Sequence, residues 1–219
     1  MDFNLFVTYW PLLLKGLGFT LYVCFYALII GLVWGMVLYQ IGAINNFVTR
    51  FFYRLYLNVF RGTPLLVQIY LVFYGGPFIG IQLSATQVGI TGLGLYVAAY
   101  FAEIYRSGFN SIPQGQIEAA RDLGFSRWQI FTRIQVPQML GLIIPPGLNQ
   151  SIIMVKESAL LSIITVPEMT TSAIRMATET FTVIEPYLFL ATAYWLITFS
   201  ISIAANWLER KSLHYLSKT

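Results

Sequence analysis

The chain has 219 residues, of which 57% are apolar and 10% charged, and its mean hydropathy is +0.69. Soluble domains carry about 25% charged residues, so this chain has too few charges to cover a water-facing surface, and most soluble enzyme classes are excluded. The net charge of +4 does not indicate nucleic-acid binding, because the basic residues form no run and lie near apolar segments. The composition predicts an integral membrane protein, and the uncharged stretches described below, each long enough for membrane helices, predict that it is all-α.

The first membrane span is predicted at about residues 17–40, inside an uncharged stretch that runs from Gly16 to Thr49. Gly31 and Gly35 form a G-x-x-x-G pair there, a pattern that lets a second membrane helix approach closely. The N-terminus lacks the basic start and the short apolar core of a signal peptide, so this segment is expected to remain in the mature protein.

The second and third spans share the uncharged stretch 62–102, which is too long for one helix. A glycine-glycine-proline sequence at 75–77 divides it. The start of the second span is ambiguous, because Thr63 before Pro64 is typical of a helix N-terminus while the preceding segment is also helical in character. The predicted spans are 55–79 and 87–108.

The polar segment 109–137 is predicted to be a cytoplasmic loop at the membrane surface that contains two short helices. Gly124 is placed to take the left-handed position after the first helix. Ser126 and Gln129 form an S-x-x-Q capping box for the second helix, which is expected to end before Pro137. Two short helices that meet at an angle are suited to docking on a partner protein.

The fourth span is predicted at 140–166 and contains Lys156 and Glu157. An ionisable side chain at mid-membrane costs at least ~2.5–3.5 kcal/mol, so each must have a partner or a function. Adjacent residues project about 100° apart on a helix, so these two do not neutralise each other across one face. Two hypotheses stay open: they line a polar cavity and contact the substrate, or they pair with another helix or a second subunit.

A fifth span is predicted at 186–208, after a short external surface helix at 167–185 that begins at Pro167. Five spans in a single domain, 1–219, leave two cations on one side of the membrane and ten on the other. The excess of positive charge predicts that the N-terminus is outside and the C-terminus cytoplasmic. The ten are Arg50, Arg54, Arg61, Arg106, Arg121, Arg127, Arg133, Arg210, Lys211 and Lys218.

The third span carries one further charge, Glu103, three residues before Arg106, which is the spacing of an i, i+3 ion pair. Tyr96 and Tyr100 share its helix face. Membrane tyrosines are usually interface anchors or core residues, and lining a cavity is the alternative. The substrate-pathway candidates are Lys156, Glu157, Glu103, Tyr100, Tyr96 and Thr63, the last because it marks a backbone break.

Three stretches resemble the bacterial ABC-importer permeases. The first resembles the family's E-A-A loop, in which leucine is usual at the position of Val136: Glu118-Ala119-Ala120, Gly124, Ile134 and Val136-Pro137. The stretches R-G-T-P-L-L from Arg61 and K-E-S-A-L from Lys156 are similar to the polar amino-acid uptake subfamily, where K-D-T-S-L is more usual. The resemblance covers about residues 13–211.

The resemblance implies a type I ABC-importer permease of the bacterial inner membrane, in which the E-A-A loop is the coupling helix that docks on a cytoplasmic ATPase. Two small alanines would leave room for the partner, and Glu118 would offer a charge. The implied coupling residues are Glu118, Ala119, Ala120, Arg121, Gly124, Ile134 and Pro137. The implied partners are an ABC ATPase dimer, a second permease subunit (a copy or a paralogue), an extracytoplasmic substrate-binding protein and membrane lipid.

The sequence contains no G-x-x-x-x-G-K-[ST] phosphate loop, no pair that resembles a nucleophile and its base, and no metal-binding cluster. We therefore expect a transporter subunit rather than an enzyme, with no cofactor or metal in this chain, and ATP and Mg²⁺ in the partner ATPase. The implied substrate is a polar amino acid or a related compound; opines, glutamate, glutamine, histidine, arginine and cystine all remain open.

Two other functions stay open. One is a secondary amino-acid transporter coupled to H⁺ or Na⁺, in which Glu103, Lys156 and Glu157 carry the coupling. No inverted repeat is visible, however, and such folds usually contain more spans. The other is a structural or assembly subunit, in which the E-A-A loop packs only on its own bundle.

Overall fold

The computed structural model describes the backbone of residues 3–216 and the side chains of Leu5 and of residues 7–208. Within that part the chain forms eight helices and no β-strand. Four of them, α1, α4, α6 and α8, are long and apolar enough to cross a membrane, and α2 with α3 makes a fifth span if the bent pair is counted as one. The helices are α1 Phe3–Ala43, α2 Phe47–Gly62, α3 Leu65–Ile79, α4 Ala85–Asn110, α5 Gln114–Asp122, α6 Arg127–Ile164, α7 Met169–Thr180 and α8 Ile184–Leu216.

The central contact of the fold is between α1 and α4. Gly31 of α1 faces Val97 and Gly35 faces Phe101, so the two helices run in the same direction. A Cβ atom on Gly35 would lie 2.7 Å from Cβ of Phe101 and 3.0 Å from the carbonyl oxygen of Ala98. The predicted close approach at the G-x-x-x-G pair is confirmed, and α4 is the helix that approaches.

The predicted second span, 55–79, is wrong as a continuous helix, because α2 and α3 meet at an angle of 105°. Pro64 donates no backbone hydrogen bond and disfavours a helical conformation at Thr63, which is extended with φ −119°. The Gln68 side chain stabilises the bend by donating from Nε2 to Oγ1 of Thr63 at 2.8 Å and to the carbonyl of Phe60 at 3.1 Å. Both halves of the ambiguous segment are therefore helical.

The two predicted caps in segment 109–137 are confirmed. Gly124 has φ +79°, and its N–H donates to the carbonyl of Arg121 at 2.9 Å while that of Phe125 donates to Ala120 at 3.0 Å, which is a Schellman arrangement. Ser126 and Gln129 then form the reciprocal capping box at the start of α6. These two caps fix the corner between α5 and α6.

The prediction that the second short helix ends before Pro137 is wrong. The helix continues through one wide turn, Phe131–Gln135, in which the N–H of Val136 donates to the carbonyl of Phe131. A wide turn at this point accommodates a residue that lacks a donor and whose ring would clash with the preceding turn. The second short helix of the loop and the predicted span 140–166 are thus one helix, α6, which tightens from Ser158 and ends at Ile164, before Thr165 with φ 58°.

The predicted surface helix 167–185 is shorter, Met169–Thr180, and one of its faces is buried. This face packs against the first half of α1, where the N–H of Met169 donates to Oγ1 of Thr20 at 3.0 Å. The chain then reverses through Phe181, at φ 54°, into α8. Helix α8 extends beyond the predicted span 186–208 at both ends.

We call the end of the bundle that contains the last turns of α1 and α4 and all of α5 the basic end, because it also carries Arg106, Arg121 and Arg127. Of the ten cations that predict the orientation, three lie outside the described side chains: Arg210, Lys211 and Lys218.

Candidate functional site

A line of polar side chains follows one face of α4 in an otherwise apolar bundle. We call Tyr96, Tyr100, Glu103 and Arg106 the polar stripe; their spacing of four, three and three residues keeps them on one face. The hydroxyl oxygens of Tyr96 and Tyr100 are 3.1 Å apart. The guanidinium carbon of Arg61, from α2, lies 5.5 Å from the centre of the Tyr100 ring, and links this tyrosine pair to Glu103.

Glu103 is the centre of an ion-pair network. Its carboxylate accepts two hydrogen bonds from Arg106, from Nε to Oε1 at 2.9 Å and from Nη2 to Oε2 at 3.0 Å, so the predicted i, i+3 pair is confirmed. The hydroxyl of Tyr53 also donates to Oε1 at 2.9 Å, and Nη1 of Arg61 lies 3.5 Å from Oε2. The last two partners come from α2, which crosses α4, and the sequence spacing did not predict them.

Glu157 lies at the other end of the polar stripe. Its carboxylate acts on the Tyr96 hydroxyl through a long-range electrostatic interaction, with no hydrogen bond or ion pair between these described side chains. Three of the six substrate-pathway candidates therefore lie together on one face of α4, Tyr96, Tyr100 and Glu103, and Glu157 of α6 acts on them only at longer range.

Lys156 faces away from Glu157, as the angle between adjacent helical residues predicts. It is exposed and lines a groove of about 600 Å³ against α8, beside Tyr187 and Trp195. In the part of the chain that the structure describes, Lys156 forms no ion pair. The ammonium group is therefore separated from the polar stripe, and the two charges of the fourth span belong to different environments.

Thr63 also lies apart from the polar stripe. Its hydroxyl donates to the carbonyl of Val59 at 2.7 Å and accepts from the Gln68 amide. These bonds hold the α2–α3 bend, so the position of Thr63 supports a structural role.

A cavity of about 620 Å³ opens beside the polar stripe towards the basic end. Its lining includes Arg61, Tyr100, Glu103 and Arg106, and Asn149 and Gln150 of α6. Gln150 is 6% exposed, and its Nε2 has no hydrogen-bond partner among the described residues. A buried amide donor without an acceptor is unfavourable, so the Gln150 side chain would be stabilised if it turned this donor towards an acceptor in the cavity.

The predicted coupling residues divide into exposed and buried ones. Glu118, Ala119 and Arg121 are exposed on α5. Ala120 is only 4% exposed and packs in a cluster with Ile112, Ile117, Ile130 and Met139. The expectation that both alanines leave room for a partner is therefore wrong for Ala120, whose small side chain lets α5 pack on its own bundle. Ile134 is partly buried against the same cluster, and Pro137 is exposed.

Two large apolar side chains at the corner between α5 and α6 were missed by the sequence analysis. Leu123 is 77% exposed and Trp128 is 71% exposed. Both flank the Gly124 corner that the capping residues had located, so their exposure was open to prediction from that corner.

Glu168 was also missed, although it is fully buried. Its carboxylate caps α7 by accepting from the N–H groups of Thr170 at 2.8 Å and Thr171 at 2.7 Å. The hydroxyl of Tyr194 in α8 lies 3.4 Å from the same carboxylate. The local signal was a glutamate directly before Met-Thr-Thr, at the position where an acidic residue caps a helix.

Burial raises the pKa of Glu168, although the hydrogen bonds from Thr170 and Thr171 act in the opposite direction. A carboxyl whose pKa is higher in the folded state contributes stability below its unfolded pKa and loses it as the pH rises through the folded value. We expect the free energy of unfolding of the wild type, relative to Glu168→Gln, to increase as the pH falls from about 8 to about 4. Thermal unfolding of both proteins in detergent across this range measures it, and a pH-independent difference would contradict the expectation.

Among the described residues, no group of three or more His, Cys, Asp or Glu side chains is placed to hold a metal ion. The candidate site is thus made of hydrogen-bonding and charged groups alone: the two tyrosines of the polar stripe, the Glu103 carboxylate after them and arginines at the basic end. Such an arrangement can bind and guide a small polar solute.

Residues 10–214 match the protein family described as "Binding-protein-dependent transport system inner membrane component". The chain is 35% identical over 206 residues to the probable amino-acid ABC transporter permease protein YckA of Bacillus subtilis, covering 94% of this chain and 91% of the relative. It is 34% identical over 202 residues to the putative glutamine transport system permease protein GlnP of Rickettsia typhi, covering 92% of this chain and 93% of the relative.

Solved structures give the same result. A crystal structure of an amino acid ABC transporter with histidines superimposes with a TM-score of 0.89 at 34% sequence identity, over 96% of this chain and 99% of that chain. An inward-facing structure of the MetNI methionine ABC transporter superimposes with a TM-score of 0.72 at 18% identity, over 97% of this chain and 99% of that chain, which is a likeness of fold. None of these matches supports the secondary transporter.

Proposed function

The chain belongs to the family of binding-protein-dependent transport system inner membrane components, a family of ABC-importer permeases, and on that premise we propose that its substrate is a polar amino acid or a related compound such as an opine or cystine. The observation that carries this proposal is the polar stripe from Tyr96 to Arg106, with the charge of Glu157 acting at its Tyr96 end. The apolar bundle around it resembles amino-acid permeases over almost its whole length. A zwitterionic solute needs groups of both charges, and the stripe supplies them.

We further propose that the basic end faces the cytoplasm, as the excess of cations predicts. In this orientation α5 presents Glu118 and Ala119 to an ABC ATPase dimer, which binds ATP and Mg²⁺. Leu123 and Trp128 extend the same exposed surface. A second permease subunit, either a copy of this chain or a paralogue, completes the pathway, and an extracytoplasmic binding protein delivers the substrate.

The proposed pathway residues are Tyr96, Tyr100 and Glu103 of the polar stripe, with Glu157 acting at its Tyr96 end. Lys156 and Thr63 lie outside the stripe, and we assign Lys156 to the groove against α8 and Thr63 to the bend rather than to the pathway. The chain itself breaks no covalent bond. ATP binding by the partner turns the cavity outward, and hydrolysis returns it inward.

Uptake by the complete complex in proteoliposomes tests this function. With the binding protein outside and ATP inside, we expect accumulation of at least one labelled amino acid that persists when ionophores collapse the H⁺ and Na⁺ gradients. Accumulation that requires an ion gradient and not ATP would refute the ABC mechanism. The absence of uptake for all twenty proteinogenic amino acids, for cystine and for representative opines would refute the substrate class.

Glu157 and Lys156 provide a matched pair of variants for the pathway. We expect Glu157→Gln to reduce the rate of ATP-driven uptake by about tenfold or more, because a hydrogen bond to a charged group contributes about 1.5–3 kcal/mol. Lys156→Gln, one residue away on a different face, should reduce it by less than about twofold. Initial rates of labelled uptake measure both. A larger effect at Lys156 than at Glu157 would contradict this assignment and indicate that the pathway runs along the groove against α8.

A further inference from the structure

We propose that Arg61 and Gln150 form a second substrate subsite, which binds the carboxylate of a free amino acid at the basic end of the cavity, apart from Glu157. This subsite rests on the proposed amino-acid function. It adds which group of the substrate is bound, the carboxylate, and where it is bound, at the basic end of the cavity. The two residues come from different helices, α2 and α6, and line the same cavity of about 620 Å³, which lies within the size range of small-ligand sites.

Arg61 has N–H donors that are not engaged in a strong hydrogen bond with Glu103. The Glu103 carboxylate is already bound by Arg106 through two hydrogen bonds and by Tyr53 through a third. The 3.5 Å separation between Nη1 of Arg61 and Oε2 of Glu103 is longer than the 2.7–2.9 Å of a strong charge-assisted bond. Arg61 is therefore the weaker of the two arginine partners, and its side chain is 41% exposed beside the cavity.

Tyr100 holds this guanidinium in position. The ring of Tyr100 lies under Arg61 at 5.5 Å, a distance at which the aromatic face attracts a cation. The aromatic face uses none of the N–H donors, so the guanidinium is oriented but remains free to bind a carboxylate in its planar, two-donor geometry.

Gln150 supplies the complementary donor. It is nine-tenths buried, it lines the cavity, and its Nε2 has no acceptor among the described side chains and backbone. A carboxylate oxygen is a strong acceptor and would satisfy this donor once the Gln150 side chain turns Nε2 towards the cavity. An ammonium group would not, because it has no acceptor to offer.

The charge of the cluster favours an anionic group. Arg61 and Arg106 face the single carboxylate of Glu103, which leaves one positive charge in excess. Arg54 adds another at an adjoining cavity of about 530 Å³ that Arg61 and Glu103 also line. An amino acid can place its carboxylate on Arg61 and its ammonium group towards Glu103, so that both charges of the zwitterion are paired.

Binding to the complex without its binding protein tests the subsite. The permease–ATPase complex is placed in nanodiscs of phosphatidylcholine, which excludes an anionic lipid headgroup as the ligand, and nucleotide is omitted. The probes are L-glutamine, L-histidine and L-arginine, each compared with its α-amide, which lacks the carboxylate. We expect the wild type to bind at least one of these acids about tenfold more tightly than its amide, because hydrogen bonds between charged groups are strong.

In Arg61→Gln, we expect the affinity for the acid to fall about tenfold and the ratio of acid to amide affinity to approach one. Arg61→Lys should retain part of the ratio, and Gln150→Leu should reduce it by about threefold. Arg50→Gln is the matched control, because Arg50 is exposed on the same helix and does not line the cavity. An unchanged elution volume and an unchanged thermal unfolding midpoint show that each variant has folded.

The outcomes separate this subsite from the transport function. An unchanged acid-to-amide ratio in Arg61→Gln overturns the subsite, as does a wild-type complex that imports amino acids but binds none of the six probes. Both results leave the proposed function intact. A complex that imports no amino acid at all overturns the two together.

Discussion

The double substitution Glu118→Arg with Ala119→Arg is expected to reduce ATP-driven uptake by about 100-fold and to weaken assembly with the ATPase. Both side chains are exposed on α5, so the permease itself should fold. Truncating or reversing a charge in a buried interface costs about 2–5 kcal/mol, and a factor of about 100 corresponds to about 2.8 kcal/mol, in the lower half of that range. Copurification of the ATPase and initial uptake rates measure the two effects.

Two further variants make this result interpretable. Gln114→Arg introduces the same charge at an exposed position at the start of α5 and should leave uptake within about twofold of the wild type. Ala120→Arg should prevent folding instead, because Ala120 is buried beside Ile117 and Met139. Full uptake and intact assembly in the Glu118 and Ala119 variant would contradict a docking role for this surface.

The second large effect is expected at the closest approach of α1 and α4. Gly35→Ala should lower the free energy of unfolding by roughly 1–3 kcal/mol, the usual range for overpacking. The added Cβ would lie 2.7 Å from Cβ of Phe101 and 3.0 Å from the Ala98 carbonyl. One of these neighbours is backbone, so the helices must separate to admit the methyl group. Thermal or denaturant unfolding in detergent measures the change.

Gly18→Ala is the matched control on the same helix. A Cβ on Gly18 would have no atom outside its own helix within 4 Å, and alanine is the better helix former by up to about 1 kcal/mol. We therefore expect this variant to be as stable as the wild type or slightly more stable. Equal destabilisation by the two substitutions would show that helix propensity, rather than the contact with α4, governs stability here.

Features that depend on neighbouring residues in the sequence were predictable. The capping box at Ser126 and the left-handed Gly124 each need only four or five consecutive residues, and both are present as expected. The i, i+3 pair of Glu103 and Arg106 has the same local origin. The G-x-x-x-G pair indicated a close helix contact but could not name the partner helix, because the pattern carries no information about α4.

Features that depend on tertiary contacts were not predictable from the pattern. Arg61 reaches Glu103 only because the α2–α3 bend lays α2 across α4. Ala120 has the size that a docking surface needs, but the same size suits the core that it joins. The continuation of α6 beyond Pro137 depended on a wide turn, which ordinary helix-stop signals do not describe.

The unbroken course of α6 has a mechanical consequence. Its 38 residues correspond to about 57 Å at the usual helical rise, with the α5 contact near one end and Glu157 near the other. Ile130 and Met139 of this helix pack directly on α5, so a force on α5 acts directly on α6. If this helix tilts as one body by about 10° around its midpoint, each end moves by about 5 Å, in opposite directions. A force on α5 at one end of α6 would then displace Glu157 near the other end through a single helix.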